Sequence, residues 1–137
     1  METAGPAGAK PVAQSNEEAH QAWDGPLFDR FVEFRDLLTT GLGAHGEAAL
    51  AAHPPNPGDR VLDVGCGFGD ATQQLVQLVR PNGSALGIDV SENFIETASR
   101  EAKDAGLSNI SFMVGDVQVT EFEQEFDYVF SRMGVMF

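Results

Sequence analysis

Three acidic residues and one glycine-rich loop are spaced along this sequence in a way that suits a polar ligand. Asp63 precedes the loop at residues 65–69 (GCGFG), and Asp89 and Asp116 each end a later apolar run. Glycines let the backbone approach a ligand without an intervening Cβ, and free N–H groups at a helix N-terminus suit a carboxylate or a phosphate. The carboxylate of Asp89 suits the two hydroxyls of a ribose, and that of Asp116 suits the exocyclic amine of an adenine.

The glycine spacing distinguishes two kinds of cofactor that share this layout. In the dinucleotide fingerprint G-x-G-x-x-G, a third glycine would fall at position 70, where this chain has Asp70. An acidic residue repels a pyrophosphate, whereas a cofactor with an amino group, a carboxylate and a sulfonium tolerates it. The loop therefore favours S-adenosylmethionine over NAD. A nucleotide-dependent oxidoreductase stays as a disfavoured alternative, because Asp89 suits a ribose in either cofactor.

The elements that must position these residues alternate between strands and helices. Apolar runs predict strands at residues 60–64, 85–89, 110–114 and 126–131, the last ending in Ser131 and Arg132, and helices follow the first two. Such alternation predicts a parallel sheet with right-handed crossovers, and ligands bind such sheets at the carboxyl ends of the strands. We expect an α/β fold, an incomplete Rossmann-like parallel sheet of about four strands in the order 3-2-1-4, with flanking helices and an N-terminal helical extension.

The part of the chain before the first strand divides into two. Residues 1–15 are rich in Ala, Gly and Pro, which predicts a disordered leader. Residues 16–58 predict a helical segment, with an aromatic, amphipathic helix beginning near Pro26 and a short Ala-rich helix within residues 41–53. A proline cluster then marks the boundary of the domain expected at residues 59–137.

Charge and composition exclude several classes of partner. The net charge is -13, with 21 acidic and 8 basic residues and no run of Lys or Arg, so a nucleic acid or an anionic membrane would be repelled. A lone cysteine, Cys66, precludes an internal disulfide and fits a reducing cytoplasm. The three histidines lack metal-ligand spacing. We expect no nucleic-acid partner, no membrane, no metal, and a cytoplasmic location.

Four segments in order carry a resemblance to a known family. VLDVGCGFGD, LGIDVS, MVGDVQ and FDYVFSRMGVMF resemble successive motifs of class I S-adenosylmethionine-dependent methyltransferases, over about residues 59–137. The chain is most similar to the branch that methylates small molecules, including quinone-biosynthesis C-methyltransferases. The resemblance implies S-adenosylmethionine as cofactor, a small-molecule acceptor, and in-line displacement of the sulfonium methyl group. It assigns no catalytic base.

The resemblance also implies a role for each candidate residue. Glycines of the loop border the methionine moiety, Asp63 supports its amine, and Asp89 holds the ribose hydroxyls. For the aromatic side chains before the first strand, the main expectation is ordinary packing against other helices. The family resemblance suggests, as an alternative, that this region covers the cofactor as a lid. The full set of predicted cofactor-binding residues is Asp63, Gly65, Cys66, Gly67, Gly69, Asp89, Val90 and Asp116, with Val117 at the adenine edge and Ser131 near the sulfonium.

The last motif ends at Phe137, whereas family members continue the sheet with further strands. We therefore expect the chain to carry the cofactor-binding part of a truncated methyltransferase domain. The alternative is a non-catalytic remnant or binding module that keeps only the cofactor pocket. An unpaired edge at the fourth strand predicts self-association or marginal stability.

Overall fold

The first predicted strand is central in the sheet of the computed structural model, which describes residues 12–136. Strand β1 (Arg60–Val64) pairs in parallel with β2 (Ser84–Asp89) on one side and with β4 (Tyr128–Phe130) on the other. Strand β3 (Ile110–Val114) pairs in parallel with β2. The order β3-β2-β1-β4 confirms the expected α/β topology, although β4 is shorter than the predicted strand.

Two helices connect the strands. Helix α4 (Asp70–Leu78) follows β1, and α5 (Glu92–Asp104) follows β2. Ser91 caps α5, since its Oγ accepts a hydrogen bond from the N–H of Phe94 at 3.2 Å. Gly106, at φ +66, ends α5 in a Schellman motif, with the N–H of the next residue donating to the carbonyl of Ala102. Local capping thus sets the length of α5.

Three helices, rather than the two predicted, precede the sheet. Helices α1 (Glu17–Asp24) and α2 (Pro26–Glu33) are separated at Gly25, and α3 (Arg35–Ala52) follows at once. The predicted start at Pro26 is confirmed, whereas the short helix expected within residues 41–53 is wrong in extent because α3 begins at Arg35. Of the predicted leader, residues 1–11 lie outside the described residues, and Gln14–Asn16 form a single 3-10 turn.

The hydrophobic core consists of one cluster on each face of the sheet, and β1 contributes side chains to both clusters. Val61 faces a cluster with side chains of α3 and α4, including Leu50 and Leu75, whereas Leu62 and Val64 face a second cluster that includes Ile88. Because side chains alternate along a strand, Asp63 points to the same face as Val61 and is buried beneath α4.

Within residues 12–136, no helix combines the length and apolarity that crossing a membrane requires.

Candidate functional site

A cavity of about 650 Å³ opens at the carboxyl ends of the first three strands. Its volume is typical of small-molecule sites. The three predicted acidic residues, which follow different strands, all line this one cavity, as the parallel topology requires. The predicted residues that line it are Asp63, Gly65, Cys66, Gly67, Asp89, Val90, Asp116 and Val117.

The structure places the remaining two predicted residues, Gly69 and Ser131, away from the cavity wall. A Cβ at Gly69 would lie 2.9 Å from the ring of Phe112 in β3 and 3.1 Å from the Cβ of Ala98 in α5, so this glycine faces the packing between α5 and the sheet. Its φ of +80 makes it the left-handed residue that starts α4. Ser131 Oγ donates to the carbonyl of Val64 at 2.9 Å and accepts from the N–H of Gly134 at 3.1 Å. Both residues shape the backbone around the cavity rather than its lining.

Asp89 joins the glycine loop to the start of α5. Its Oδ2 accepts the N–H of Gly67 at 3.0 Å, and its Oδ1 accepts the N–H of Ser91 at 3.0 Å. Burial raises the pKa of Asp89, while these backbone hydrogen bonds oppose the rise. Gly67 has φ +53, and a Cβ there would meet only the ring of Phe94, at 3.9 Å. Space beside this glycine is therefore available to a ligand.

Asp63 is the most deeply buried carboxyl group of the site, with 1% of its surface exposed. Thr72 donates its hydroxyl to Asp63 Oδ2 at 2.6 Å. Burial raises the pKa of Asp63 to about 6, with a smaller contribution from the negative charge of Asp89. The hydrogen bond from Thr72 and the positive charge of Arg132 oppose the rise. A cationic ligand group beside Asp63 would stabilise its charged form.

Asp116 is bound by residues that precede the first helix. Its Oδ2 accepts the Nδ2–H of Asn16 at 2.8 Å and the N–H of Ala13 at 3.0 Å, and its Oδ1 accepts the N–H of Gln118 at 2.9 Å. Burial alone would raise the pKa of Asp116, but the three hydrogen bonds together lower it. Sequence reasoning missed Asn16, because its partner lies 100 residues away and no local pattern connects them.

The cysteine of the loop is a buried, neutral thiol. Burial raises the pKa of Cys66 well above its usual value, and the negative charges of Asp63 and Asp89 add to the rise. A Cβ at Gly87 of β2 would lie 2.8 Å from Cys66 Sγ, so the thiol fills the space that this glycine leaves. The small size of Cys66, rather than its reactivity, explains its place in the loop.

The N-terminal helices form the opposite wall of the cavity. Arg35, at the start of α3, donates to both carboxylate oxygens of Glu101 at 2.6 and 2.7 Å and to Asp70 at 3.1 Å. Its guanidinium also lies 4.2 Å from the ring centroid of Phe68 in the glycine loop. Sequence reasoning missed this cluster, since the acidic partners of Arg35 lie 35 and 66 residues away. Further lining residues from these helices are Ala19, His20, Trp23, Phe31, Leu38, Thr39 and Leu42.

A second attachment of the helical segment lies at the start of α5. Asp24 Oδ1, at the end of α1, accepts the hydroxyl of Ser91 at 2.6 Å and the N–H of Asn93 at 3.1 Å. A carboxylate suits the N-terminal end of a helix, where backbone N–H groups lack partners.

No group of three or more His, Cys, Asp or Glu side chains within residues 12–136 is arranged to hold a metal ion.

Comparison with known proteins gives a consistent result. A family model described as "Methyltransferase domain" matches residues 55–136. Aklanonic acid methyltransferase DauC of Streptomyces sp. (strain C5) is 40% identical over 93 residues, which cover 67% of this chain and 42% of the relative. Demethylmenaquinone methyltransferase of Bacillus cytotoxicus is 39% identical over 80 residues, which cover 58% of this chain and 34% of the relative.

A solved structure supports the same assignment. The structure of a SAM-dependent methyltransferase from Aquifex aeolicus superposes with a TM-score of 0.58 at 26% identity, covering 63% of this chain and 46% of that one. The chain therefore spans less than half the length of the relatives it matches. Because the family model covers more than half of the chain, this protein belongs to the family of methyltransferase domains.

Proposed function

We propose that this chain is the S-adenosylmethionine-binding part of an enzyme that methylates a small molecule. The observation that carries the proposal is the convergence of Asp63, Asp89 and Asp116 with the backbone of Gly65 and Gly67 on one cavity. These groups match the amine, the ribose hydroxyls, the adenine amine and the carboxylate of that cofactor. The similar solved structure from Aquifex aeolicus is described as a SAM-dependent methyltransferase, which supports the same cofactor.

The residues of the site bind and orient in this proposal. Asp63 holds the amine of the methionine moiety, Asp89 the ribose hydroxyls, and Asp116 the edge of the adenine. Val90 packs on the adenine ring and Val117 contacts its edge. The buried thiol of Cys66 supports the loop backbone. The cofactor supplies an electrophilic methyl group, and the protein contributes rate by fixing donor and acceptor in line.

The domain limits follow from the same proposal. Residues 59–137 form the cofactor-binding part, and residues 16–58 form a lid whose contacts at Asn16, Asp24 and Arg35 hold it over the cavity. Such a lid excludes water from the reacting centre. We infer a cytoplasmic protein, consistent with the lone, reduced cysteine and the absence of basic runs in the sequence.

The acceptor that fits best is an apolar small molecule. The wall opposite the acidic residues carries apolar side chains, among them Trp23, Phe31 and Leu38. Two relatives are named for the acceptors aklanonic acid and demethylmenaquinone, which are small molecules. The strongly negative charge of this chain opposes a nucleic-acid acceptor.

Calorimetric titration with S-adenosylhomocysteine, the demethylated product of the cofactor, tests the proposal. We expect the wild type to bind it, and Asp89→Asn to weaken binding by about 30-fold, since a charge-assisted pair of hydrogen bonds to the ribose is lost. The exposed Asp104 provides a matched control, because Asp104→Asn removes the same charge outside the cavity.

The outcomes of this titration distinguish the candidate functions. Binding of NADH with equal or higher affinity would contradict the proposal and favour an oxidoreductase. Methyl transfer to a quinone-like or polyketide acceptor in a parallel assay would contradict the alternative of a non-catalytic binding module.

We also propose that two copies of this chain associate through β4. Among the described residues, β4 pairs only with β1, and Val129 in the middle of β4 is 62% exposed. An unpaired strand edge with exposed apolar side chains is a template for another strand. Sedimentation velocity is expected to give a dimer at micromolar concentrations, and Val129→Lys a monomer. A wild-type monomer throughout that range would contradict the association.

A further inference from the structure

The charges that line the cavity do not balance. Its wall carries more carboxylates than cations, and one of its two guanidinium groups is already neutralised, since Arg35 pairs with Glu101 and Asp70. The other belongs to Arg132, which forms no ion pair with any residue between 12 and 136. A charge-bearing side chain at a cavity wall, without a carboxylate of its own, is available to a ligand anion.

Packing against α3 holds Arg132 at this wall. A Cβ added at Gly46 would lie 3.2 Å from Arg132 Cδ, so the stem of the arginine passes directly over this buried glycine. A glycine inside a helix destabilises it relative to alanine. Gly41 and Gly43 of the same helix have nothing within 4 Å of such a Cβ. Among these three glycines of α3, only Gly46 lies against another part of the chain, and its missing Cβ leaves space for the side chain of Arg132.

The charge of Arg132 acts beside that of Asp63. Its positive charge favours the ionised form of the buried Asp63 carboxyl group, so the two side chains are electrostatic neighbours in the cavity. A carboxylate and a guanidinium side by side complement the amine and the carboxylate of an amino acid. Asp63 alone would select the amine and leave the carboxylate of the ligand with only backbone N–H groups.

We propose that Arg132 binds the carboxylate of the methionine moiety while Asp63 binds its amine. The inference deepens the proposed function and rests on it. It makes Arg132 the residue that distinguishes a cofactor with an amino-acid end from other adenosine-containing molecules. Arginine suits this task better than lysine, because its planar group donates two parallel hydrogen bonds to a carboxylate.

The test compares two ligands that differ only in the carboxylate. S-adenosylhomocysteine and its decarboxylated analogue, 5′-(3-aminopropylthio)-5′-deoxyadenosine, are titrated calorimetrically into wild type, Arg132→Met and Arg132→Lys. We expect wild type to prefer the carboxylated ligand, and Arg132→Met to bind it about 20-fold more weakly while binding the analogue within about 2-fold of wild type. Arg132→Lys, which keeps the charge, is expected to fall between them.

Two glycine variants give a second measurement on a protein that keeps Arg132. Gly46→Ala requires the arginine stem to shift by a few tenths of an ångström and is expected to weaken binding of S-adenosylhomocysteine alone by about 2- to 3-fold, whereas Gly43→Ala on the same helix changes neither affinity. Equal weakening of both ligands by Arg132→Met would overturn the inference, because the arginine would then act only through Asp63 or the fold. Failure of the wild type to bind either ligand would overturn the proposed function together with this inference.

Discussion

Replacing Gly65 with alanine is expected to lower the free energy of unfolding by about 4 kcal/mol. Gly65 has φ +69, a conformation that costs a side chain about 1–2 kcal/mol. A Cβ there would also lie 2.6 Å from the Cα of Gly134, which is backbone and cannot rotate away. Since folded domains have a total stability of about 5–15 kcal/mol, the loss is a large fraction of the whole.

Gly106 provides the matched control for this variant. Its φ of +66 is nearly the same, but a Cβ there would meet nothing within 4 Å. Gly106→Ala is therefore expected to cost only the conformational part, about 1 kcal/mol. Urea-induced unfolding followed by circular dichroism measures both. Equal losses for the two variants would mean that the glycine loop and the segment after β4 are not in close contact.

The contact between Gly65 and Gly134 has a consequence for the site. It lets the segment after β4 cross directly over the glycine loop, and this crossing brings Arg132 and the residues after it to the cavity. Ser131 fixes the same crossing through its hydrogen bond to the carbonyl of Val64. Ser131 thus contributes to the site through backbone geometry, although it does not line the cavity.

Sequence reasoning predicted the features that local spacing determines. The bounds of β1 and β3 each depend on residues within one strand. The three acidic residues could be assigned to one cavity because parallel strands end at the same edge of a sheet. The positions of the strands in the sequence were sufficient to predict that these three residues share a cavity.

Long-range contacts explain what the sequence could not predict. Asn16 contacts Asp116 across 100 residues, and Asp24 contacts Ser91 across 67. Helix α3 begins earlier than predicted, at Arg35, whose side chain contacts Glu101 and Asp70, 66 and 35 residues away. Gly69 lies in the predicted loop, but only the fold decides that its Cα faces Phe112 rather than the cavity.

The wild type and Asp63→Asn are expected to differ in how their stability depends on pH. The pKa of Asp63 is about 6 in the folded chain, against 3.8 for an ordinary aspartate. The folded state therefore binds this proton more tightly than the unfolded state between these values. The stability that the proton contributes is fully present below pH 3.8, falls as the pH rises, and is lost above pH 6. The difference amounts to about 3 kcal/mol.

Asp63→Asn removes this dependence and keeps an oxygen that accepts the hydroxyl of Thr72. The variant is expected to be more stable than the wild type at pH 7.5 by up to about 3 kcal/mol, with the difference shrinking toward pH 5. Urea unfolding at both pH values measures this. Asp104→Asn, at an exposed position, serves as the control and cancels the contributions of other carboxylates. A variant that is less stable than the wild type at both pH values would contradict the expectation.

The same variant is expected to bind S-adenosylhomocysteine more weakly, because a neutral amide attracts the amine of the ligand less than a carboxylate does. In the wild type, binding of that cation requires the ionised form of Asp63, so the affinity should fall below pH 6 by up to about tenfold per pH unit. In Asp63→Asn the affinity should be nearly constant over that range. A carboxylate that destabilises the free protein and strengthens ligand binding is expected of a binding group, since Asp63 forms no ion pair within residues 12–136 and the burial of its charge costs free energy.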